Sequence, residues 1–245
     1  MSNTATTPPR IARRFLVALV LALALPFGGP AQEAGVLRIY LARHGQTDWN
    51  LEGRLQGGID TPLNATGRQQ AAELAGRLEG MRLDAVYSSA LRRTRETAEI
   101  VRGTVPLVPL AGLNERRLGK FEGQKLARST VSGASAGRSD DSLTQEYDRR
   151  SLDPNDALDG GESLNDFALR ISRTMTEVRD RHPSGTILIV GHGITNRMVL
   201  KALVGLTLEQ ANTIQQANDE VYLIEVDAAA PRLWKLITLK TLGEL

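Results

Sequence analysis

Apolar residues along the chain follow two periods in turn. The run Val36-Leu37-Arg38-Ile39-Tyr40-Leu41-Ala42 is short, apolar and β-prone, and predicts a strand; a polar loop over 43–63 follows. Ala71, Ala72, Leu74, Ala75 and Leu78 then recur at helical spacing and predict a helix over 65–77, with Thr66 and Gln69 placed as a capping box. A strand at 84–87 leads to a helix at 91–101. Residues 105–110 contain Pro106 and Pro109, which fits a sheet edge or an extended loop. Small polar residues fill 128–142 without apolar periodicity and predict a loop. Ser163 with Asp166 opens a helix reaching 181, and the wholly apolar 186–190 predicts a strand covered on both faces. A helix over 194–204 and strands at 220–226 and 232–240 complete the series. Repeated alternation of strand and helix predicts an α/β protein of three layers, α/β/α, with a mostly parallel central sheet and an insertion of helix and loop at about 116–165.

Composition changes the picture at the N-terminus. The chain has 245 residues, 41% apolar and 24% charged, no cysteine and a formal charge of +2. Arg10, Arg13 and Arg14 precede the apolar run 15–25 and the small, turn-forming stretch 26–31, in which Gly29 and Ala31 are placed for cleavage. This is the order of a secretory signal peptide over 1–31, and its apolar run is short for a membrane span. Losing the three arginines takes the formal charge from +2 to −1, which removes the argument for a nucleic-acid partner. The expectation is an exported protein, periplasmic or secreted, with no stable membrane association once the leader is gone.

Candidate chemistry gathers at strand ends. Of three histidines, His44 and His192 directly follow the two most strand-like segments, each beside glycine. In an open parallel sheet, ligands bind outside the carboxyl ends of the strands, so histidines far apart in sequence can share one pocket. Arg43 and the pair Arg92-Arg93 come to the same edge, and a guanidinium fork suits phosphate oxygens. The helix after His192 would also offer its N-terminal amides to an anion. These residues point to a phosphoryl ligand. His182 fits no such pattern and reads as a helix-end or solvated residue.

The run Leu41-Ala42-Arg43-His44-Gly45-Gln46-Thr47 with Asn50 resembles the signature of the histidine phosphatase superfamily, the phosphoglycerate-mutase-like clan. Further stretches are similar to later family segments in the same order: Leu55-Gln56-Gly57-Gly58-Ile59-Asp60-Thr61-Pro62-Leu63, Ser88-Ser89-Ala90-Leu91-Arg92-Arg93, Leu113-Asn114-Glu115-Arg116 and Val190-Gly191-His192-Gly193. The resemblance implies a histidine phosphatase domain over 32–245 whose cap, about 116–165, lies over the active site. It implies His44 as nucleophile, Arg43, Arg93 and His192 as stabilisers of the transferring phosphoryl group, and Glu115 as proton donor. It also implies Asn50, Thr47, Gln56, Gly57 and Gly193 as substrate or phosphate contacts. Arg92 is expected to face solvent or an acid, and Glu122 and Glu162 to be solvated.

The expected activity is metal-independent hydrolysis of a small phosphomonoester through a phosphohistidine, with no cofactor. His44, Asp48 and His192 lack the helical ligand spacing of a zinc hydrolase, and arginines would repel a cation. A phosphoglycerate mutase-type phosphotransferase and a non-catalytic phospho-ligand binder are the alternatives. The mutase branch carries an arginine pair beyond its acid loop; here that pair appears only at Arg149-Arg150. Export would also strand a glycolytic enzyme from its substrates. Asn64-Ala65-Thr66 matches a glycosylation sequon, but its place at a helix start points to capping.

Overall fold

The computed structural model describes residues 35–126, 142–227, 231–237 and 240–244. The expected leader and most of the predicted 128–142 loop lie outside them. Among the described residues seven strands form one sheet: β1 (Leu37–Arg43), β2 (Ala85–Ser89), β3 (Leu107–Leu110), β4 (Gly185–Gly191), β5 (Glu220–Val226), β6 (Arg232–Ile237) and β7 (Lys240–Glu244), in the order β3-β2-β4-β1-β5-β6-β7. The first four in that order run parallel, whereas β5, β6 and β7 are each antiparallel to their neighbour. The sheet is therefore mixed, with its parallel half where the helical crossovers are. The proline-bearing β3 takes the edge, as expected. The predicted strand at 232–240 is instead two antiparallel strands, because one chain segment pairs back on itself.

Among the described residues seven α-helices accompany the sheet: α1 (Asp48–Leu51), α2 (Ala65–Arg77), α3 (Arg92–Val101), α4 (Ser142–Ser151), α5 (Leu164–Arg181), α6 (Gly193–Val204) and α7 (Leu208–Thr213). Among the described residues none is long and apolar enough to cross a membrane. The pleat divides the core. Ile39, Leu41, Tyr87, Ile187 and Ile189 pack against Phe167, Ile171 and Met175 of α5 and Met198 and Val199 of α6. Tyr40, Ala42, Val86, Leu188 and Val190 face Leu74 and Leu78 at α2 and Ala98 and Val101 of α3. Each fully buried Val, Leu, Ile, Phe or Met among these contributes about 1.5–3 kcal/mol, so the two apolar helix stripes fix the three layers.

Two helix starts show the local logic. Ser163 accepts from the Asp166 amide and its hydroxyl donates to the Asp166 carboxylate, so α5 begins where the pattern predicts. The cap of α2 is Asn64, not Thr66: Asn64 is extended and its side chain accepts from the Gly67 amide, while Thr66 already lies inside the helix. Near the insertion, Leu158 and Asp159 both adopt the left-handed conformation (φ 57° and 55°). This turns Leu158 into a small separate core with Leu118 and Phe121. Arg116, buried, binds the segment together by donating to the carbonyls of Glu162, Ser151 and Asp156.

Candidate active site

Strand register sets the site. Arg43 is level with Gly191, and Ser88 with Val190, so β1, β2 and β4 end along one edge of the parallel half. His44, the Ser89–Arg93 turn and His192 leave the sheet there. The loop after β1 needs two glycines at a crossing: a Cβ on Gly45 would meet the Gly67 carbonyl oxygen, and one on Gly67 would meet Gln46. The Gly45 amide donates to Thr97 Oγ1 at 3.0 Å, which ties this loop to α3.

His44 is buried, with its backbone amide on the Gly191 carbonyl at 3.0 Å. Its Nδ1 lies 2.7 Å from the Gly45 carbonyl oxygen. A carbonyl can only accept, so Nδ1 carries the proton and Nε2 keeps a bare lone pair. Burial first, then the Arg93 and Arg43 guanidiniums, hold this imidazole well below its ordinary value and keep it neutral.

His192 has the opposite tautomer. Its Nδ1 accepts from Arg93 Nε at 3.1 Å, and its Nε2 lies 2.7 Å from Ser89 Oγ. Arg93 has no lone pair to offer, so the proton sits on Nε2 and points to Ser89. The Ser89 hydroxyl then donates to Thr94 Oγ1 at 2.8 Å, which donates in turn to the Leu91 carbonyl. Burial first, then the Arg93 guanidinium, hold His192 well below its ordinary value. The two rings meet edge-on with centroids 5.3 Å apart.

Arg93 is buried and fully engaged: besides His192 it donates to the carbonyls of Ile59 at 2.8 Å and Gly57 at 2.9 Å. Burial pushes its guanidinium down to about 10, which leaves it charged at neutral pH. Arg92 faces outward onto Glu96, as expected. Arg43 Nη1 donates to the Gln216 carbonyl at 2.8 Å. The Gln216 side chain in turn bonds the carbonyls of Leu41 and Glu220 and the Asn196 amide.

Glu115 is also buried. Its Oε1 accepts from the Arg116 amide and from the amide and hydroxyl of Thr195, all at 3.0 Å, while Oε2 accepts only from the Ile194 amide at 3.1 Å. The amides at the start of α6 therefore serve this carboxylate. The Ile194 and Thr195 amides are thereby not open to an external anion, as the helix start was expected to be, while Gly193, the first residue of α6, lines the cleft.

A cleft of about 680 Å³ opens beside these groups, lined by Arg43, His44, Asn50, Gln56, Gly57, Arg93, Glu115 and Gly193 among others. Thr47 is not in its lining. It is fully buried as the cap of α1, exchanging hydrogen bonds with Asn50 and reaching Gln56 Oε1 at 3.0 Å, so its role is to hold those two side chains. His192 also lies behind the lining, against Arg93 and Ser89. Glu122 and Glu162 are not merely solvated: Glu122 accepts from the Gly58 and Leu118 amides, and Glu162 accepts from Arg170 Nε at 2.9 Å and Nη2 at 2.7 Å. His182 caps α5 and its Nε2 lies 2.9 Å from the Tyr87 hydroxyl, away from the cleft. Tyr147, Arg197 and Gln216 also line the cleft, although no sequence motif points to them as site residues. Of these only Arg197 sits beside a motif, five residues after His192.

Among the described residues no three His, Asp or Glu side chains group to hold a metal ion. A neutral imidazole with a bare ring nitrogen, set among fixed guanidiniums, is equipment for phosphoryl transfer, where positioning and charge stabilisation dominate. Fold and site thus define an enzyme of the phosphatase and mutase class. The family described as histidine phosphatase superfamily (branch 1) matches residues 39–237. The chain belongs to that family. It is 32% identical over 198 residues to "Probable phosphoglycerate mutase GpmB" of Shigella boydii, covering 78% of this chain and 85% of that one. Among solved structures it resembles Bacillus stearothermophilus YhfR (33% identity, TM-score 0.67, 80% of this chain and 94% of that one). It also resembles the alpha-ribazole phosphatase of Shigella flexneri (26% identity, TM-score 0.67, 79% and 93%).

Proposed function

We propose that the protein is a metal-independent phosphomonoester hydrolase that works through a phosphohistidine on His44. The observation that carries this reading is the bare Nε2 of His44, which the Gly45 carbonyl fixes from the other side of the ring. The Nε2 lone pair attacks phosphorus, the P–O bond to the alcohol breaks, and Arg43 and Arg93 balance the charge on the remaining oxygens. His192, already neutral, holds the Arg93 fork in place. Glu115 Oε2 has one donor and so has room for a proton. It gives that proton to the departing alkoxide and takes one from the water that then attacks the N–P bond, which returns free imidazole and inorganic phosphate.

Hydrolysis is favoured over mutase chemistry by the fate of Arg149-Arg150. Arg150 is occupied by Glu146, Asp156 and Asp159, and neither residue lines the cleft. The test is turnover of p-nitrophenyl phosphate in EDTA, set beside 3-phosphoglycerate with bisphosphoglycerate. Turnover of the second pair alone would make the protein a mutase. His44→Ala should abolish both turnover and acid-labile phosphate labelling. The same reading includes export, resting on the composition of residues 10–31; recovery of the full chain uncleaved in the cytoplasmic fraction would remove that part.

A further inference from the structure

The turn that meets Arg93 is closed by its own hydrogen bond. The Ile59 amide donates to the Gln56 carbonyl at 2.9 Å, with Gly57 and Gly58 at the two central positions. Gly57 is left-handed (φ 51°) and Gly58 is not, the pattern of a type II′ turn. The other form open to such a turn, type I′, needs a positive φ at both central positions, which two glycines allow. The two forms differ by rotation of the single peptide that carries the Gly57 carbonyl and the Gly58 N–H.

Both ends of that peptide are held by charged groups. Its carbonyl accepts from Arg93 Nη2 at 2.9 Å, and its N–H donates to Glu122 Oε1 at 2.7 Å. The same carboxylate oxygen accepts from the Leu118 amide at 2.9 Å, so Glu122 is itself anchored in the stretch that begins the insertion. It packs directly on the turn, since a Cβ on Gly57 would meet its carboxylate. Rotated, the peptide would aim its carbonyl at a carboxylate and its N–H at a guanidinium, replacing two charge-assisted bonds with two repulsive contacts. Glu122 also bears on the charge of the fork: burial pulls the Arg93 guanidinium down, and the charges of Glu115, Asp60 and Glu122 oppose it.

We propose that Glu122 is a positioning residue: it latches the Gly57–Gly58 peptide with its carbonyl toward Arg93, and through that carbonyl sets the direction in which Arg93 meets the phosphoryl oxygens. Arg93 gives one hydrogen from each nitrogen to His192, Ile59 and Gly57, and each outer nitrogen keeps a second. Without the Gly57 carbonyl the fork can turn about its two remaining acceptors, and those second hydrogens lose their aim. Glu122 does not line the cleft, so its effect passes through the turn alone. The start of the insertion is thereby coupled to the phosphoryl end. This inference rests on the hydrolase reading, which gives Arg93 the phosphoryl oxygens.

The test is a double-mutant cycle of Glu122→Ala with Gly58→Ala on the full chain. It is read as kcat and KM on p-nitrophenyl phosphate and as the dissociation constant of orthovanadate, which takes the five-coordinate shape of the transferring phosphoryl group. Alanine at 58 suits the present turn, where its Cβ would press only on the flexible Arg117 side chain at 3.3 Å, but strains type I′. Glu122→Ala alone should lower kcat/KM about 10- to 100-fold, chiefly through kcat, and weaken orthovanadate by a similar factor. Measured against Gly58→Ala, the same loss should shrink to a few-fold. Gly76→Ala in α2, where a Cβ meets nothing, adds helix stability away from the turn and should bring no such relief. If Glu122→Ala does not fold, Glu122→Gln replaces it in the same cycle, with a smaller loss and the same relief. A loss under about two-fold from Glu122→Ala, a loss of equal size on both backgrounds, or equal relief by Gly76→Ala overturns the inference. Failure of the hydrolase reading shows separately, as absent p-nitrophenyl phosphate turnover by the unaltered chain, and the orthovanadate cycle then still decides.

Discussion

Arg93 Nε donates to His192 Nδ1 across 3.1 Å, and this one contact settles which nitrogen of His192 carries the proton. The same guanidinium reaches the carbonyls of Gly57 and Ile59, so the loop before α2 and the ring after β4 are positioned by a single fork. Lysine has the charge but not the fork. Arg93→Lys should lower kcat/KM on p-nitrophenyl phosphate about 100- to 1000-fold, the usual loss for one preorganised charge-stabilising group. Steady-state kinetics within a few-fold of the parent would mean that charge alone suffices.

Glu115 can be separated from the rest of the site by leaving group. Glu115→Gln keeps the shape and removes the transferable proton, so kcat on an alkyl phosphate should fall about 100-fold or more. An ester whose alcohol departs without protonation, such as p-nitrophenyl phosphate, should lose far less in formation of the phosphoenzyme. Equal losses in single-turnover measurements on both esters would assign Glu115 a structural role only.

Acid should act through both buried imidazoles. Their folded-state values lie well below 6.5, so at mildly acid pH the unfolded chain binds more protons than the folded one. Stability is therefore fully present above 6.5 and is lost as pH falls through that value, by up to about 1.4 kcal/mol per unit for each histidine. Urea denaturation at pH 7.5 and 5.5 should show this slope, and His192→Gln should reduce it. The same depression keeps His44, the proposed nucleophile, unprotonated in mild acid, so the acid limb of kcat/KM belongs below 6.5. A limb centred above that value would contradict the burial of His44.

Arg116 offers a test of the insertion. Replacing it with Met keeps much of the volume but leaves the carbonyls of Ser151, Asp156 and Glu162 without their donor. A loss of about 3 kcal/mol in urea denaturation is expected. A change under about 0.5 kcal/mol would show that water replaces the guanidinium there.

What could be read in advance follows the range of each signal. Helices α2, α5 and α6 and strands β1 and β4 bury one face or both, so their periods stand out in the chain itself. His44, His192 and Arg93 sit within short motifs at strand ends. The local pattern Thr-x-x-Gln points to Thr66 as the cap of α2, while the choice of Asn64 depends on its extended backbone. Strands β6 and β7 share one β-prone composition, so the pattern of residues does not separate them. Tyr147 and Arg197 matter only because α4 and α6 come together at the cleft, which no window of neighbouring residues records.

Gln216 joins Leu41, Asn196 and Glu220 through its side chain and Arg43 through its carbonyl. Those anchors are spread over most of the polypeptide, so Arg43 acquires its final orientation only after β5 has docked beside β1. A ribosome-bound fragment ending before residue 216 would carry both histidines and still lack the finished anion cage.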